Sequence, residues 1–139
     1  AALQDGTALD TFARVIAAQG GNPAVCDDLS LLPQAVAKHD VKASAAGTIR
    51  SVATRELGLL SIEIGCGRAR KDDVVDPASG YRVLRKTGDV VSAGEPLLVV
   101  ELGPGTTLRD GYLDRVAACF EIGSAEGAPA PLPFVVEKL

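Results

Sequence analysis

The stretch with the most chemistry in it is Gly65-Cys66-Gly67-Arg68-Ala69-Arg70-Lys71-Asp72-Asp73-Val74-Val75-Asp76-Pro77. Two glycines beside three cations could cradle a phosphate, with Arg68, Arg70 and Lys71 as clamps. Phosphate cradles, however, precede a helix, where free N–H groups and the positive dipole end face the anion. These glycines follow a helical pattern. Cations just past a helix C-terminus are favourable there for structural reasons alone. Asp72, Asp73 and Asp76 balance them. The residue types therefore favour a capping, salt-bridged loop over direct phosphate ligation.

Other reactive groups are sparse. His39 is the single histidine. It falls at the end of an expected helix, and no Asp, Ser or Cys stands at a triad-like spacing from it. The acid pairs Asp27-Asp28, Asp72-Asp73 and Glu56/Glu63 read as solvated surface carboxylates. Cys26, Cys66 and Cys119 are odd in number, widely spaced and without a C-x-x-C, which excludes a disulfide framework or zinc site and points to a reducing cytoplasm. G-x-S-x-G, H-E-x-x-H, G-x-G-x-x-G and Walker A patterns are all missing. The residues specify no catalytic, cofactor-binding or metal-binding set.

Elements that would position the loop follow from periodicity. Ala8, Leu9, Phe12, Val15 and Ile16 predict a helix over 7–19, with Thr7 as N-cap and Gly20-Gly21-Asn22-Pro23 as its stop. A second helix is expected over about 29–38, with Pro33 in its first turn. Val41–Ser44 and Thr48–Val52 alternate as strands. Thr54 caps a helix to about Ile64, with Leu57, Leu60 and Ile64 inward and Gly65 or Gly67 as C-cap. Strands follow at Tyr81–Leu84 and Leu97–Leu102, the latter apolar enough to be buried on both faces. Leu108, Tyr112, Val116 and Phe120 predict a helix over about 107–121. Glycines and prolines make 123–133 an irregular tail, and Leu132, Phe134 and Val136 alternate as an edge strand.

Bulk properties narrow the function further. The 139 residues suit one domain with flanking elements, and only 4% are aromatic, so the core must be aliphatic. A net charge of −4 argues against a nucleic-acid partner, since such affinity comes from clustered Lys and Arg. No apolar run approaches a membrane span. The sequence contains no Met, and its natural N-terminus is expected upstream of Ala1.

The unit Lys86-Thr87-Gly88-Asp89-Val90-Val91-Ser92-Ala93-Gly94-Glu95-Pro96-Leu97 has a K-x-G-D-x-V-x-x-G-x-x-L spacing. It resembles one half of the biotinyl and lipoyl carrier domains. Their modified lysine sits on a tight hairpin, which this sequence lacks, so the likeness implies shared architecture, with a non-catalytic barrel-sandwich binding module as the alternative reading.

Taken together, Ala8–Phe12, Ile16–Pro23, Leu32–Ala35, Val41–Ala43, Gly65–Arg68, Lys71–Asp76 and the Lys86–Leu97 unit resemble the C-terminal region of the thymidine and pyrimidine-nucleoside phosphorylases. Cys66 stands where Ala or Gly is commoner in that family. The resemblance implies an α+β fold: a small barrel-sandwich-like β core with inserted and flanking helices, preceded by two helices. Residues 1–39 would belong to the upstream α/β domain, 40–123 to the C-terminal domain and 124–139 to an extended tail. In the family, phosphate displaces the base of thymidine or uridine and yields (deoxy)ribose 1-phosphate. Phosphate is a co-substrate and no cofactor is needed. The enzymes are homodimers whose domains close over a cleft. Their phosphate- and base-binding residues lie upstream of this chain, so none is assigned here and His39 receives no catalytic role. The loop bearing Arg68, Arg70, Lys71, Asp72 and Asp73 would border the cleft and aid its closure. The upstream portion of the same enzyme is the expected partner.

Overall fold

A computed structural model describes residues 1–124. The chain separates into two compact units, Ala1–Gln34 and Ala35 onward.

In the first unit the helical periodicity of 7–19 produces α1 (Thr7–Ala18). Thr7 is the first helical residue and not the cap. Gly6 occupies the N-cap position, and Asp5 Oδ1 accepts from both Thr7 N (3.0 Å) and Thr7 Oγ1 (2.7 Å). The helix expected over 29–38 does not form. A single 3-10 turn, Leu29–Leu31, stands at its start, after another at Pro23–Cys26, and each opens with an Asx cap: Ala24 N donates to Asn22 Oδ1 and Ser30 N to Asp28 Oδ1. Asn and Asp side chains that bond the backbone two residues on compete with helix, and here they prevail. None of these three elements has a buried residue. Leu9, Phe12 and Val15 on α1 remain 49%, 57% and 44% exposed, so this unit has no closed core of its own.

The second unit holds six strands in two antiparallel three-stranded sheets. β1 (Ala37–Lys42), β5 (Pro96–Leu102) and β3 (Gly80–Val83) form one sheet, with β5 in the middle. β4 (Val90–Val91), β2 (Gly47–Val52) and β6 (Phe120–Gly123) form the other, with β2 in the middle. β1 begins where the second helix was expected, and so His39 lies on a strand opposite Val100, not at a helix end. Two short helices complete the unit, α2 (Thr54–Glu63) and α3 (Tyr112–Ala117). Thr54 is again the first helical residue and not a side-chain cap.

Leu98, Val100 and Leu102 of β5 point to one face and are at most 3% exposed. They join Val41, Ile49, Leu57, Ile64, Val91, Tyr112 and Val116 in a single aliphatic core shared by both sheets. The opposite face of β5 is not fully buried, contrary to its apolar pattern. Glu101 sits there, paired with Lys38 on β1 at 3.1 Å and with Arg82 on β3. A carboxylate between two cations from neighbouring strands needs solvent access that a sheet packed on both faces would deny it.

The turn-strand-turn unit is built as its spacing suggests. Gly88 (φ 94°) and Gly94 (φ 81°) take left-handed conformations. Gly88 N donates to Ile49 O, and Gly94 N donates to Ala43 O, both at 2.8 Å. Each glycine turn thus docks on a different strand.

The helix expected over 107–121 shrinks to Tyr112–Ala117, because Phe120 and Ile122 pair with Val52 and Ile49 on β2. Sheet pairing of a central strand outweighs a continued helical period. The expected tail and edge strand at Leu132, Phe134 and Val136 lie outside the described residues.

Leu98 is fully buried at the centre of the shared core. Leu98→Ala should lower unfolding stability by about 2–5 kcal/mol, read as a reduced denaturant midpoint at unchanged slope.

Candidate functional site

The charged loop leaves α2 through a complete Schellman cap. Gly65 (φ 87°) N donates to Ile62 O at 3.0 Å, and Cys66 N to Ser61 O at 3.1 Å. The last carbonyls of the helix are satisfied by backbone. The cations that follow are therefore not needed as caps.

The salt-bridged loop expected from the alternating charges is not what forms. Among the described residues no ion pair involves Arg68, Arg70 or Lys71, and all three are exposed. The aspartates bind backbone and hydroxyls instead. Asp73 Oδ2 accepts from Ala69 N (3.0 Å) and Arg70 N (2.8 Å), folding the loop head into a turn. Asp72 is exposed. Val74 is 89% exposed beside it.

Asp76 closes the neck of the loop. Its N–H donates to Gly65 O at 2.8 Å, so the two ends of the segment 66–75 are tied by one backbone hydrogen bond. Its carboxylate accepts from Ala78 N (2.9 Å), Ser79 Oγ (2.6 Å) and, more weakly, Thr106 Oγ1 (3.4 Å). Ser79 Oγ in turn accepts from Gly103 N at 2.8 Å, just after β5. Gly103 must be glycine here, since a Cβ would sit 2.1 Å from Asp76 Oδ2. These donors, led by the Ser79 hydroxyl, hold the Asp76 carboxyl below the ordinary carboxylate range.

Beside the neck is an open cleft of about 490 Å³, bordered by Glu63, Gly67, Asp73, Thr106, Thr107 and Arg109. Glu63 is gripped by Arg115 through two bonds, Nη1 to Oε1 at 2.8 Å and Nη2 to Oε2 at 2.7 Å, which depress its pKa. Arg109 Nη1 is 3.8 Å from Glu63 Oε2. Behind the cleft the Tyr81 and Tyr112 hydroxyls are hydrogen-bonded, and Tyr112 Oη donates to Leu60 O at 2.9 Å. Burial pushes the Cys66 thiol up, with the Asp76 charge adding to it, so Cys66 is a protonated packing residue and not a nucleophile. His39 is far along β1 from any such grouping in register. Among the described residues no cluster of three or more His, Cys, Asp or Glu side chains is placed to hold a metal ion.

The structure thus brings Asp73 to the cleft and leaves Arg68, Arg70, Lys71 and Asp72 on an exposed head. Sequence reasoning missed Ser79, Gly103 and Thr106. An Asp-Pro-x-Ser stretch is a turn signature and could have singled out Asp76 and Ser79. Nothing local marks Thr106, or the Glu63–Arg115 pair, which lies 52 residues apart in the chain.

Residues 48–100, which span β2 to β5 and include the whole charged loop, match the model of the pyrimidine nucleoside phosphorylase C-terminal domain. This segment is similar to the C-terminal domain of pyrimidine-nucleoside phosphorylases. The chain is similar to the pyrimidine-nucleoside phosphorylase of Bacillus subtilis strain 168, 39% identical over 98 residues, which is 70% of this chain and 23% of that protein. The enzyme of Geobacillus stearothermophilus is 38% identical over 99 residues, 71% of this chain and 23% of the relative. That of Staphylococcus haemolyticus is 36% identical over 99 residues, with the same coverage. The matched part therefore spans about a quarter of each curated relative.

Because its folded-state pKa is depressed, ionised Asp76 contributes stability that is present above its unfolded pKa and lost as pH falls through the folded value. On acidification below about pH 4, the wild-type protein should lose more stability than Asp76→Asn, so the two unfolding free energies converge. Parallel pH profiles from denaturant titrations would contradict this.

Proposed function

We propose that this chain is the closing C-terminal portion of a pyrimidine-nucleoside phosphorylase, and that its charged loop helps the domains close over the substrate cleft. In the full-length enzyme phosphate attacks C1′ of thymidine or uridine. The C1′–N bond breaks, its electron pair leaves with the base, and a C1′–O bond forms (deoxy)ribose 1-phosphate. Both reacting partners carry or develop negative charge, so catalysis depends on positioned cations and on closure that excludes water.

One observation carries the reading: three exposed cations that have no ion pair among the described residues, on a loop whose neck is tightly bound, inside the segment that matches the family domain. Among the described residues of this unit Glu63, Glu95 and Glu101 are already paired with other cations. The loop head is left to meet something else, and an opposing cleft wall of the same enzyme is the reading most consistent with the family match. The apolar face of α1 (Leu9, Phe12, Val15) supports a second contact, with the upstream portion of the enzyme covering it. Homodimer formation, a nucleoside-salvage role as a glycosyltransferase and a cytoplasmic setting belong to the same proposal. The setting is supported by three unpaired cysteines, and among the described residues no helix is long and apolar enough to cross a membrane.

In the intact enzyme, Arg68→Ala should lower kcat/KM for thymidine or uridine phosphorolysis about tenfold, the size of one charge-assisted contact of ~1.4 kcal/mol. Lys71→Ala should do the same or less. Wild-type kinetics in Arg68→Ala, Arg70→Ala and Lys71→Ala alike would remove the closing role. The 139-residue chain assayed alone should be inactive, and mixed with the missing upstream portion it should restore activity.

A further inference from the structure

We propose that Asp76 is a positioning residue: by clamping the neck of the 66–75 loop to the end of β5, it sets where Arg68, Arg70 and Lys71 stand when the cleft closes. The proposal rests on the closing role of the loop and adds the device that makes the loop able to perform it.

The argument begins with the number of acceptors required. Three groups donate to the Asp76 carboxylate, from Ala78, Ser79 and Thr106. Ala78 N and Ser79 Oγ use different oxygens, Oδ1 and Oδ2. A carboxylate accepts on both oxygens, whereas an asparagine amide accepts on one and donates from the other. Whichever way an amide is turned, one of the two donors, the Ala78 N–H or the Ser79 hydroxyl, faces its N–H and loses its acceptor there. The Ser79 oxygen already accepts from the buried Gly103 N–H and could take an amide N–H on its second lone pair only by turning its own O–H away, which leaves that proton without the Asp76 acceptor. The chain of donors Gly103 N–H to Ser79 O–H to Asp76 is therefore kept, together with the Ala78 N–H bond, only when both oxygens at position 76 accept.

Space is as restricted as hydrogen bonding. The carboxylate fills the volume a Gly103 Cβ would take, with Oδ2, Oδ1 and Cγ at 2.1, 2.6 and 2.7 Å from that position. At Gly65 a Cβ would meet the Asp76 Cβ at 3.2 Å. Aspartate has the only side chain that is both short enough and acceptor-only.

The consequence lies in the loop. Its two ends are joined by the Asp76 N to Gly65 O bond, and its head is shaped by Asp73 binding Ala69 N and Arg70 N. The head carries no ion pair to this unit among the described residues. With the neck fixed, the three cations are held out as one body; with it loosened, each must be ordered during closure, at a cost in conformational entropy.

The test uses the full-length enzyme. Tryptic cleavage after Arg68, Arg70 and Lys71, mapped by mass spectrometry, reads the neck directly. Asp76→Asn should raise cleavage there at least tenfold over wild type, and Ser79→Ala should raise it less. Leu98→Ala, destabilised in the core, should leave loop cleavage below that of Asp76→Asn. Kinetics then read the positioning. Asp76→Asn should lower kcat more than it raises KM. In the background of Arg68→Ala, Arg70→Ala and Lys71→Ala combined, adding Asp76→Asn should cost little further, because a residue that acts through the loop has nothing left to position. Wild-type cleavage rates in both Asp76→Asn and Ser79→Ala would overturn the clamp. Faster cleavage with kinetic losses that simply add would show a structural role and overturn the positioning claim. If the triple loop variant has wild-type kinetics, the closing role fails while the cleavage result still decides the clamp. Should Asp76→Asn not fold, the same comparisons are made with Ser79→Ala.

Discussion

Both edges of β5 are hydrogen-bonded, to β1 and to β3, and one of its faces is sealed by the aliphatic core. A strand held on both sides is a strongly constrained piece of backbone. Its C-terminal end, Leu102-Gly103, is therefore a fixed point. The buried Gly103 amide has left the ladder and needs an acceptor, which the Ser79 hydroxyl provides. From that single requirement the Ser79–Asp76 pair is placed, and from Asp76 the neck of the charged loop. A surface loop takes its position from a core strand through three consecutive hydrogen bonds.

Charge is divided in a corresponding way. Glu63, Glu95 and Glu101 are each engaged by cations of the same unit, Arg115, Arg85, and Lys38 with Arg82. These pairs are partly exposed and contribute modestly to stability. They matter because they leave the glutamates committed. Asp73 and Asp76 are committed too, to backbone and hydroxyl donors. Of the aspartates that follow the cations in the loop, Asp73 and Asp76 are thus already occupied, and Asp72 stays exposed beside them.

The first unit differs in kind. α1 is amphipathic, yet the two 3-10 turns cover its apolar residues only in part, and Leu9, Phe12 and Val15 stay exposed. The matched part covers about a quarter of each relative's length, and an upstream domain would supply the missing cover in the proposed enzyme.

Much of the second unit was legible in the chain. A near-continuous apolar run marked β5, the glycine spacing marked the turns at Gly88 and Gly94, and the run of three cations between a helix end and a Pro-Ala-Ser-Gly turn marked the loop. These features are local, and local sterics and hydrogen bonding decide them. The helix expected over 29–38 was lost to local chemistry as well, through Asp28 binding Ser30. What only the tertiary structure decided depends on partners far along the chain. Phe120 left a helical period because Val52 was there to pair with it, and Arg115 found Glu63 across 52 residues. The aspartates of the loop turned from the neighbouring cations to backbone donors and, at Asp76, to the hydroxyls of Ser79 and Thr106 as well. Charge alternation predicts attraction, but a carboxylate beside unpaired N–H and O–H donors of fixed geometry satisfies those first, and their positions exist only once β5 is in place.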